Sequence, residues 1–276
     1  MTYYCKPIES NYFKANEGYS RLIDSIINNC QNGDFIFISE TPISTIEGNL
    51  VDESEYDSNI ISILITEIWC RYLWGYILGP LFGYSQRTIK NLRQMPKEAY
   101  KHKTFILKRY GLKHALQPTA EAGVDLSNVP GNYVSLLPNN PKKSANKIKE
   151  LIYKKSDKNV EIIIIDTDPT YKFRNMYFTT LPQSIEGIKN NTGIYGYILR
   201  AFTKKIGATP LATTVEIGVE ELIHMANLAE ECQKNNSTNF FETIYNMQET
   251  FNTNYDEITV EMLDSVKHIP AVIIHK

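Results

Sequence analysis

The hydrophobic pattern of the chain centres on a short stretch at residues 160–165. It is apolar at every position except Glu161, and it stops at Asp166. A run of this length predicts a buried strand, because strands covered on both faces carry apolar residues at consecutive positions. Asp168 follows two residues after Asp166, so an extended backbone would point both side chains to one face. Pro169 is expected to end the strand, since proline cannot donate to the ladder.

Helical and strand patterns alternate along the rest of the chain. Apolar residues recur at helical spacing over residues 22–30, and residues 35–38 form another short apolar run after a turn signal, which predicts a helix followed by a strand. The later patterns predict a strand at 133–137, a helix from Ser144, helices at 219–229 and 240–251, and a closing strand at 271–274.

The longest hydrophobic segment, residues 60–84, is not predicted to cross a membrane. Glu67 and Arg71 lie four residues apart near its middle, so a helix would place them on one face as an ion pair. A charged group at the bilayer centre costs about 2.5 to 3.5 kcal/mol on insertion scales. We therefore predict a core or dimer-interface helix, broken around residues 79–83, and keep membrane association as the alternative.

Composition and charge narrow the class of protein. The 276 residues are 42% hydrophobic, which is typical of a compact globular protein. Because 29 basic residues face 31 acidic ones, no overall positive field favours nucleic acid as a partner. The stretch 87–113 is locally basic, and it indicates either attraction of an anionic substrate or a solvated helix face.

The cysteines and the N-terminal residues indicate the cellular compartment of the protein. Four cysteines lie far apart without a Cys-x-x-Cys pair, which argues against a zinc knuckle and against a dense disulfide framework. The first residues lack the apolar core of a signal peptide, so we expect no export. Both observations favour a reducing cytoplasm.

Polar residues at the ends of the two predicted strands are the first candidates for chemistry. Asp166, Thr167 and Asp168 offer the oxygen ligands that Mg²⁺ or Mn²⁺ prefers, although a polar turn explains them equally well. Ser39 and Glu40 follow the other strand and could contact phosphate or metal; the alternative is a surface turn.

A loop of small and polar residues, 120–131, is the third candidate. It has little hydrophobic periodicity, as expected of a loop that passes close to a ligand. Asp125 could be a further metal carboxylate, with Ser127 and Asn128 as hydrogen-bonding groups.

Several motifs occur together in one order. They are Gly33-Asp34-Phe35-Ile36-Phe37-Ile38-Ser39 leading to Ile46-Glu47-Gly48, Ala122-Gly123-Val124-Asp125-Leu126-Ser127-Asn128-Val129, Leu136-Leu137-Pro138 with Ser144-Ala145, and Ile165-Asp166-Thr167. This order resembles the coenzyme F420-0 gamma-glutamyl ligase family, which uses GTP and a divalent metal to attach glutamate to a phosphate-bearing deazaflavin. The agreement extends from Gly33 to about Glu231.

The resemblance implies an α+β fold, with mixed β-sheets and flanking helices in two interleaved lobes. The whole chain, 1–276, would be one such unit with an atypical helical segment at about 60–116. We also expect a homodimer, formed through the segment that contains Trp69 and Trp74. The resemblance further implies a cytoplasmic protein whose partners are small molecules, namely a nucleotide, L-glutamate and a carboxylate acceptor.

The resemblance also implies roles for particular residues. Asp125 and Asp166 would hold Mg²⁺ or Mn²⁺ as catalytic ligands, and Thr167 would assist at a second metal. Asp168 is a further metal ligand that we expect beside Asp125 and Asp166. Asn128 would touch the nucleotide, which is GTP or alternatively ATP. Ser39, Glu40 and Thr45, at the end of the first strand and in the loop after it, are the further residues that we expect there. The reaction would activate a carboxylate as an acyl phosphate, which the glutamate amine then attacks.

Departures from the family pattern keep a second function open. The loop between Asp34 and Gly48 has no lysine, whereas the family usually carries lysines there. Asp168 and Pro169 stand where a glycine and an arginine commonly follow the Asp-Thr pair. A non-catalytic or regulatory relative that keeps the fold and the metal pocket is therefore the alternative, as is a ligase for another acid.

Overall fold

A mixed β-sheet forms the centre of the computed structural model, which describes residues 3–237, 241 and 243–275. Within these residues the strands are β1 (Tyr4–Ser10), β2 (Phe35–Ser39), β3 (Leu50–Asp52), β4 (Tyr133–Ser135), β5 (Glu161–Phe173), β6 (Met176–Phe178), β7 (Ile188–Lys189), β8 (Lys204–Thr213) and β9 (His268–His275). The order in the large sheet is β1-β9-β2-β5-β6-β7, with β8 on the other edge of β5, while β3 and β4 pair separately. The β2–β5 and β6–β7 pairs are parallel and the others antiparallel.

Helices cover both faces of the sheet and form a separate cluster beside it. Among the described residues they are α1 (Ser20–Ile27), α2 (Glu40–Ile46), α3 (Ile60–Leu81), α4 (Gln86–Arg93), α5 (Ala99–Tyr110), α6 (Leu112–Ala115), α7 (Pro141–Ser156), α8 (Ile194–Leu199), α9 (Val219–Asn236), α10 (Ile244–Phe251) and α11 (Val260–Asp264). Short 3₁₀ turns lie at Glu53–Glu55, Arg200–Phe202 and Tyr255–Glu257. The predicted α+β class with mixed sheets and flanking helices is confirmed; the division into two interleaved lobes stays a prediction.

The two central parallel strands are buried on both faces. Side chains of β2 and β5 alternate: Ile36 and Ile164 pack in the core with α1 and α7, whereas Phe37 and Ile163 pack in the core with α9. Because both faces need apolar side chains, the strands read as continuous hydrophobic runs rather than as alternating ones.

Strand β5 is longer than predicted. It continues past Pro169 to Phe173, so the prediction that this proline ends the strand is wrong. The register of β5 against β8 shifts between Asp166 and Pro169, which is the signature of a bulge. A bulge tolerates a proline, because its residues do not take part in the regular ladder.

Two other boundaries also differ from the predictions. Strand β4 ends at Ser135, and α7 begins at Pro141 rather than at Ser144. Asn140 caps this helix by accepting a hydrogen bond from the Lys143 N–H at 2.9 Å, and proline is favoured in the first helical turn. Of the helix predicted over 240–251, Phe240 and Glu242 lie outside the described residues, and α10 begins after its cap at Thr243.

The hydrophobic segment 60–84 forms the long helix α3, which is π-helical over Ile65–Leu78. The helix passes Gly79 and Pro80 and ends at Leu81, within the range 79–83 where a break was predicted, and Gly83 follows with a positive φ of 68°. The predicted pair of Glu67 and Arg71 is present. The helix is long and apolar enough to span a bilayer, but core helices of soluble proteins meet the same criterion.

The inner side of α3 belongs to the core of its own chain. Trp74 is fully buried, stacks on Tyr84 and meets Tyr197 edge-on. Trp69 is partly buried and donates its indole N–H to the Leu116 carbonyl at 2.7 Å. The tryptophans are therefore core residues. The outer side of α3 exposes a separate apolar stripe, which consists of Ile60, Ile61, Leu64, Ile68, Tyr72, Tyr76 and Ile77.

One disulfide bond links the first strand to a helix near the other end of the chain. It joins Cys5 in β1 to Cys232 in α9, while Cys30 and Cys70 are buried thiols. A single bond of this kind is not a dense framework, and the wide spacing of the cysteines could not predict it.

Candidate active site

One cavity of about 630 Å³ brings the predicted site residues together. This volume is in the range of about 300 to 1,000 Å³ that is usual for small-molecule sites. All eight predicted residues line it: Ser39, Glu40, Thr45, Asp125, Asn128, Asp166, Thr167 and Asp168. The structure places them in one cleft, while their roles stay predictions.

The parallel pairing of β2 and β5 explains how two of the acids meet. Ser39 pairs with Ile165 in register, so Glu40, which follows the end of β2, and Asp166, which lies within β5, are at the same level. Ligands of open α/β sheets bind beyond the carboxyl ends of parallel strands, which is where Glu40 lies relative to β2.

Glu40 is the first residue of α2 and is only 8% exposed. The expected alternative of a surface turn is therefore wrong, because this segment is a buried helix. The Oε1 atom of Glu40 accepts a hydrogen bond from Thr41 Oγ1 at 2.7 Å, whereas its Oε2 atom is buried without a partner. Thr45 Oγ1 donates to the Thr41 carbonyl at 2.9 Å, and Ser39 Oγ accepts from Gln233 Nε2 at 3.2 Å.

Asp166 and Asp168 lie in the bulge of β5 against β8. Asp166 is 4% exposed, and its Oδ1 accepts a hydrogen bond from the backbone N–H of Asp168 at 2.7 Å. Thr209 Oγ1 donates to the Asp168 carbonyl at 2.6 Å, which holds the bulge against β8. Thr167, between the two acids, is exposed towards the cavity.

Asp125 comes to the cavity from the loop that precedes β4. Its backbone forms two hydrogen bonds with Ser135, at 2.9 and 2.8 Å. Its carboxylate accepts from Ser127 through the backbone N–H at 2.8 Å and the hydroxyl at 2.9 Å. Asn128 has a positive φ of 57° and donates its amide to the Phe241 carbonyl at 3.3 Å. The loop thus fixes the Asp125 carboxylate at the cleft.

Four of the carboxyl groups that line the cavity, those of Glu40, Asp125, Asp166 and Asp168, have raised pKa values. Burial, reinforced by the Asp125 charge, raises the pKa of Glu40 to about 7. Burial also raises the pKa of Asp168 to about 7 against the opposing charge of Arg200, and the pKa of Asp125 to about 6. For Asp166, burial together with the charges of Glu40 and Asp168 holds the pKa well above its usual range. Such a cluster favours bound protons or a bound cation.

Comparison with known proteins identifies the family. The sequence model described as F420-0:Gamma-glutamyl ligase matches residues 8–238. The chain belongs to the F420-0:gamma-glutamyl ligase family. An uncharacterised protein of Methanocaldococcus jannaschii is 38% identical over 97% of this chain and 94% of its own. The coenzyme F420:L-glutamate ligase of the same organism is 33% identical over 50% of this chain and 49% of its own. Membership of the ligase family supports a glutamate ligase function.

The oxygen donors of this ligase-family cavity fit a hard divalent cation that is completed by other ligands. Among the described residues, no three acidic, histidine or cysteine side chains already lie at metal-binding distances. Mg²⁺ and related ions, however, are commonly held by one or two carboxylates together with water and substrate phosphates. The buried Oε2 of Glu40 without a partner adds an unsatisfied acceptor to this donor set.

The sequence patterns did not predict several residues that line the cavity. Glu53, His102 and Glu121 line the side that faces the helical segment, and no local spacing marks them as a group. Lys101 comes from the basic stretch 87–113, and Lys205 comes from β8; both are exposed and line the cavity. Cations therefore reach the cavity from elements other than α2.

Proposed function

We propose that the protein is a metal- and nucleotide-dependent gamma-glutamyl ligase. It would form an amide between L-glutamate and a carboxylate acceptor, either a coenzyme F420 precursor or a related acid, with GTP or alternatively ATP as co-substrate. The main support is that Asp125 and Asp166, which are more than 40 residues apart in sequence, line the same cavity.

Two transfer steps account for the reaction. An acceptor carboxylate oxygen attacks the γ-phosphorus of the nucleotide, and the bond to the nucleoside diphosphate breaks. The amine nitrogen of glutamate then attacks the acyl carbon of the acyl phosphate, inorganic phosphate leaves, and the nitrogen loses a proton. Positioning and charge stabilisation supply most of the catalysis in transfers of this kind.

The residues of the cavity divide into two groups in this scheme. Asp125, Asp166, Asp168 and Thr167 would hold Mg²⁺ or Mn²⁺, which supplies charge neutralisation at the phosphate oxygens when bound. The other group, expected to orient the nucleotide through hydroxyl, carboxylate and amide groups, consists of Ser39, Glu40, Thr45 and Asn128. The unpartnered Oε2 of Glu40 would accept a hydrogen bond from a bound substrate.

A non-catalytic relative is the second candidate function. It is favoured by the lack of lysine between Asp34 and Gly48, which leaves α2 without a cation for phosphate. It is opposed by Lys101 and Lys205, which bring positive charge to other walls of the same cavity.

Phosphate release distinguishes the two candidates. The protein is incubated with GTP or ATP, Mn²⁺ and L-glutamate, with and without candidate carboxylate acceptors. A ligase releases inorganic phosphate only when an acceptor is present and forms an amide product visible by mass spectrometry. Nucleotide binding without turnover for every acceptor would favour the non-catalytic relative.

Dimerisation and a cytoplasmic location remain proposals. Because Trp69 and Trp74 pack inward, a dimer formed through α3 would use the exposed apolar stripe on the other side of the helix. Burial of apolar side chains on that stripe is the expected driving force.

A further inference from the structure

A tight turn at residues 120–125 touches both acids of the proposed metal site. It leads directly into Asp125, and Val124 donates its backbone N–H to the Glu121 carbonyl at 3.0 Å. At Gly123 the backbone lies so close to Asp166 that an added Cβ would be 3.1 Å from Asp166 Oδ2. The conformation of this turn therefore sets the spacing between Asp125 and Asp166.

The backbone of the turn is unfavourable by itself. Ala120, Ala122 and Gly123 have positive φ angles of 57°, 56° and 66°. Alanine rarely adopts this left-handed conformation, because its Cβ approaches the following carbonyl oxygen. Contacts from outside the turn must therefore maintain it.

Lys103 of α5 supplies one of these contacts, through Glu121. The Gln117 side-chain amide supplies another by donating to the Ala120 carbonyl at 2.8 Å. The Lys103 side chain is fully buried, and its ammonium donates to the Ala115 carbonyl at 3.1 Å, to the Gln117 carbonyl and to the Glu121 carboxylate. All three N–H bonds of the ammonium thus have acceptors, and two of the acceptors lie in or just before the turn. Lys103 belongs to the basic stretch for which the sequence suggested a solvated helix face, and its complete burial rules out that explanation here.

The neighbouring His102 completes a balanced set of charges. Its Nδ1 is 2.6 Å from Glu53 Oε1, and its Nε2 is 3.8 Å from Glu121 Oε2. Burial lowers the pKa of His102, but the charges of Glu53 and Glu121 outweigh it and raise the pKa to about 10. Burial raises the pKa of Glu121, but Lys103 and His102 outweigh it and lower the pKa to about 2. Two buried cations therefore face two buried anions.

We propose that Lys103 is a positioning residue: by fixing Glu121 and its turn, it sets the spacing of Asp125 and Asp166 at which they share a cation. The helical segment α3–α5 then contributes to the site, because its Lys103 positions the turn that carries Asp125. The role of Asp125 and Asp166 as metal ligands rests on the proposed function. The fixing of the turn by Lys103 does not depend on that function.

The test compares Lys103→Met with the double variant Lys103→Met/Glu121→Met. The single variant leaves the Glu121 charge buried without its partner, so it should unfold at a lower temperature. The double variant removes both charges and keeps similar volumes, so its melting temperature should return towards that of the wild type. A control, Lys149→Met/Glu161→Met, removes an ion pair of 2.7 Å outside the turn.

Two readouts on the double variant report positioning and not stability. Hydrogen–deuterium exchange of the amides at 121–125 in metal-free protein should be faster by about tenfold or more, while exchange in α7 stays unchanged. Mn²⁺ affinity, measured by electron paramagnetic resonance, should fall by about 10- to 100-fold. The control should change neither quantity.

The outcomes that contradict the inference about Lys103 differ from those that contradict the proposed function. Unchanged exchange or unchanged Mn²⁺ affinity in a folded double variant overturns the inference about Lys103. If the double variant does not fold, Glu121→Gln takes its place with the same readouts and the same expected directions. Absence of Mn²⁺ binding to the wild type counts against the proposed function, and the exchange measurement then still decides whether Lys103 fixes the turn.

Discussion

Replacing Gly123 by alanine tests the close approach of the turn to Asp166. The new Cβ would lie 2.7 Å from Leu181 Cδ2, 3.0 Å from Leu137 Cδ2 and 3.1 Å from Asp166 Oδ2. Overpacking of this kind costs about 1 to 3 kcal/mol. The left-handed backbone, with φ at 66°, costs alanine about 1 to 2 kcal/mol more, and a smaller unfolded-state entropy offsets about 0.4 to 1 kcal/mol of that. We expect a net destabilisation of about 1 to 5 kcal/mol, with a midpoint of about 3 kcal/mol.

A matched glycine separates strain from packing. Gly83 has nearly the same φ, 68°, but an added Cβ there meets nothing within 4 Å. Gly83→Ala should therefore lower the free energy of unfolding only by the backbone cost less the entropy gain, which is about 0 to 1.6 kcal/mol. Both variants are measured by urea denaturation with circular dichroism, and Mn²⁺ affinity is measured alongside. Equal destabilisation in the two variants would refute the packing of the turn against Asp166.

Three further predictions concern the rest of the molecule. The stabilisation from His102 is complete below its unfolded pKa of about 6.5 and is lost as the pH rises towards its folded pKa of about 10. The stabilisation from Glu121 is complete above its unfolded pKa of about 4.5 and is lost as the pH falls towards its folded pKa of about 2. Urea midpoints should therefore decline on the alkaline side, and His102→Gln should flatten that decline; an unchanged slope would count against the network. In light scattering the wild type should have the mass of a dimer, and Ile68→Lys in the exposed stripe should give a monomer; a monomeric wild type contradicts the dimer. Thiol titration of the denatured, unreduced protein should find two thiols, with four after reduction, because Cys5 and Cys232 are bonded; four before reduction would disprove the bond.

The parts of the fold that depend on local pattern were predictable from the sequence. The strands β2 and β5 stand out because both of their faces are buried, so apolar residues follow one another without alternation. Of the polar residues that follow these apolar runs, Glu40 marks the carboxyl end of β2, whereas Asp166 marks the bulge within β5. Parallel pairing in register then brings these residues to one level, although the pairing itself is not written in either segment.

The features that could not be predicted depend on contacts between segments that are distant in the sequence. Lys103 looks like any solvated lysine of a basic helix, and only the folded chain places three acceptors around its ammonium. Pro169 was expected to end its strand, because the pattern does not reveal the bulge that accommodates it. The burial of Glu40 was likewise hidden, since Ser39-Glu40-Thr41-Pro42 has the composition of a surface turn.

Mn²⁺ titration of Asp166→Asn, followed by calorimetry and by phosphate release, tests the shared-cation site most directly. Asp57→Asn, which changes an exposed acid that does not line the cavity, is the control. The site proposed here requires that Asp166→Asn stays folded but loses Mn²⁺ binding and acceptor-dependent phosphate release, while Asp57→Asn keeps both. Wild-type Mn²⁺ affinity and phosphate release in a folded Asp166→Asn variant would contradict it.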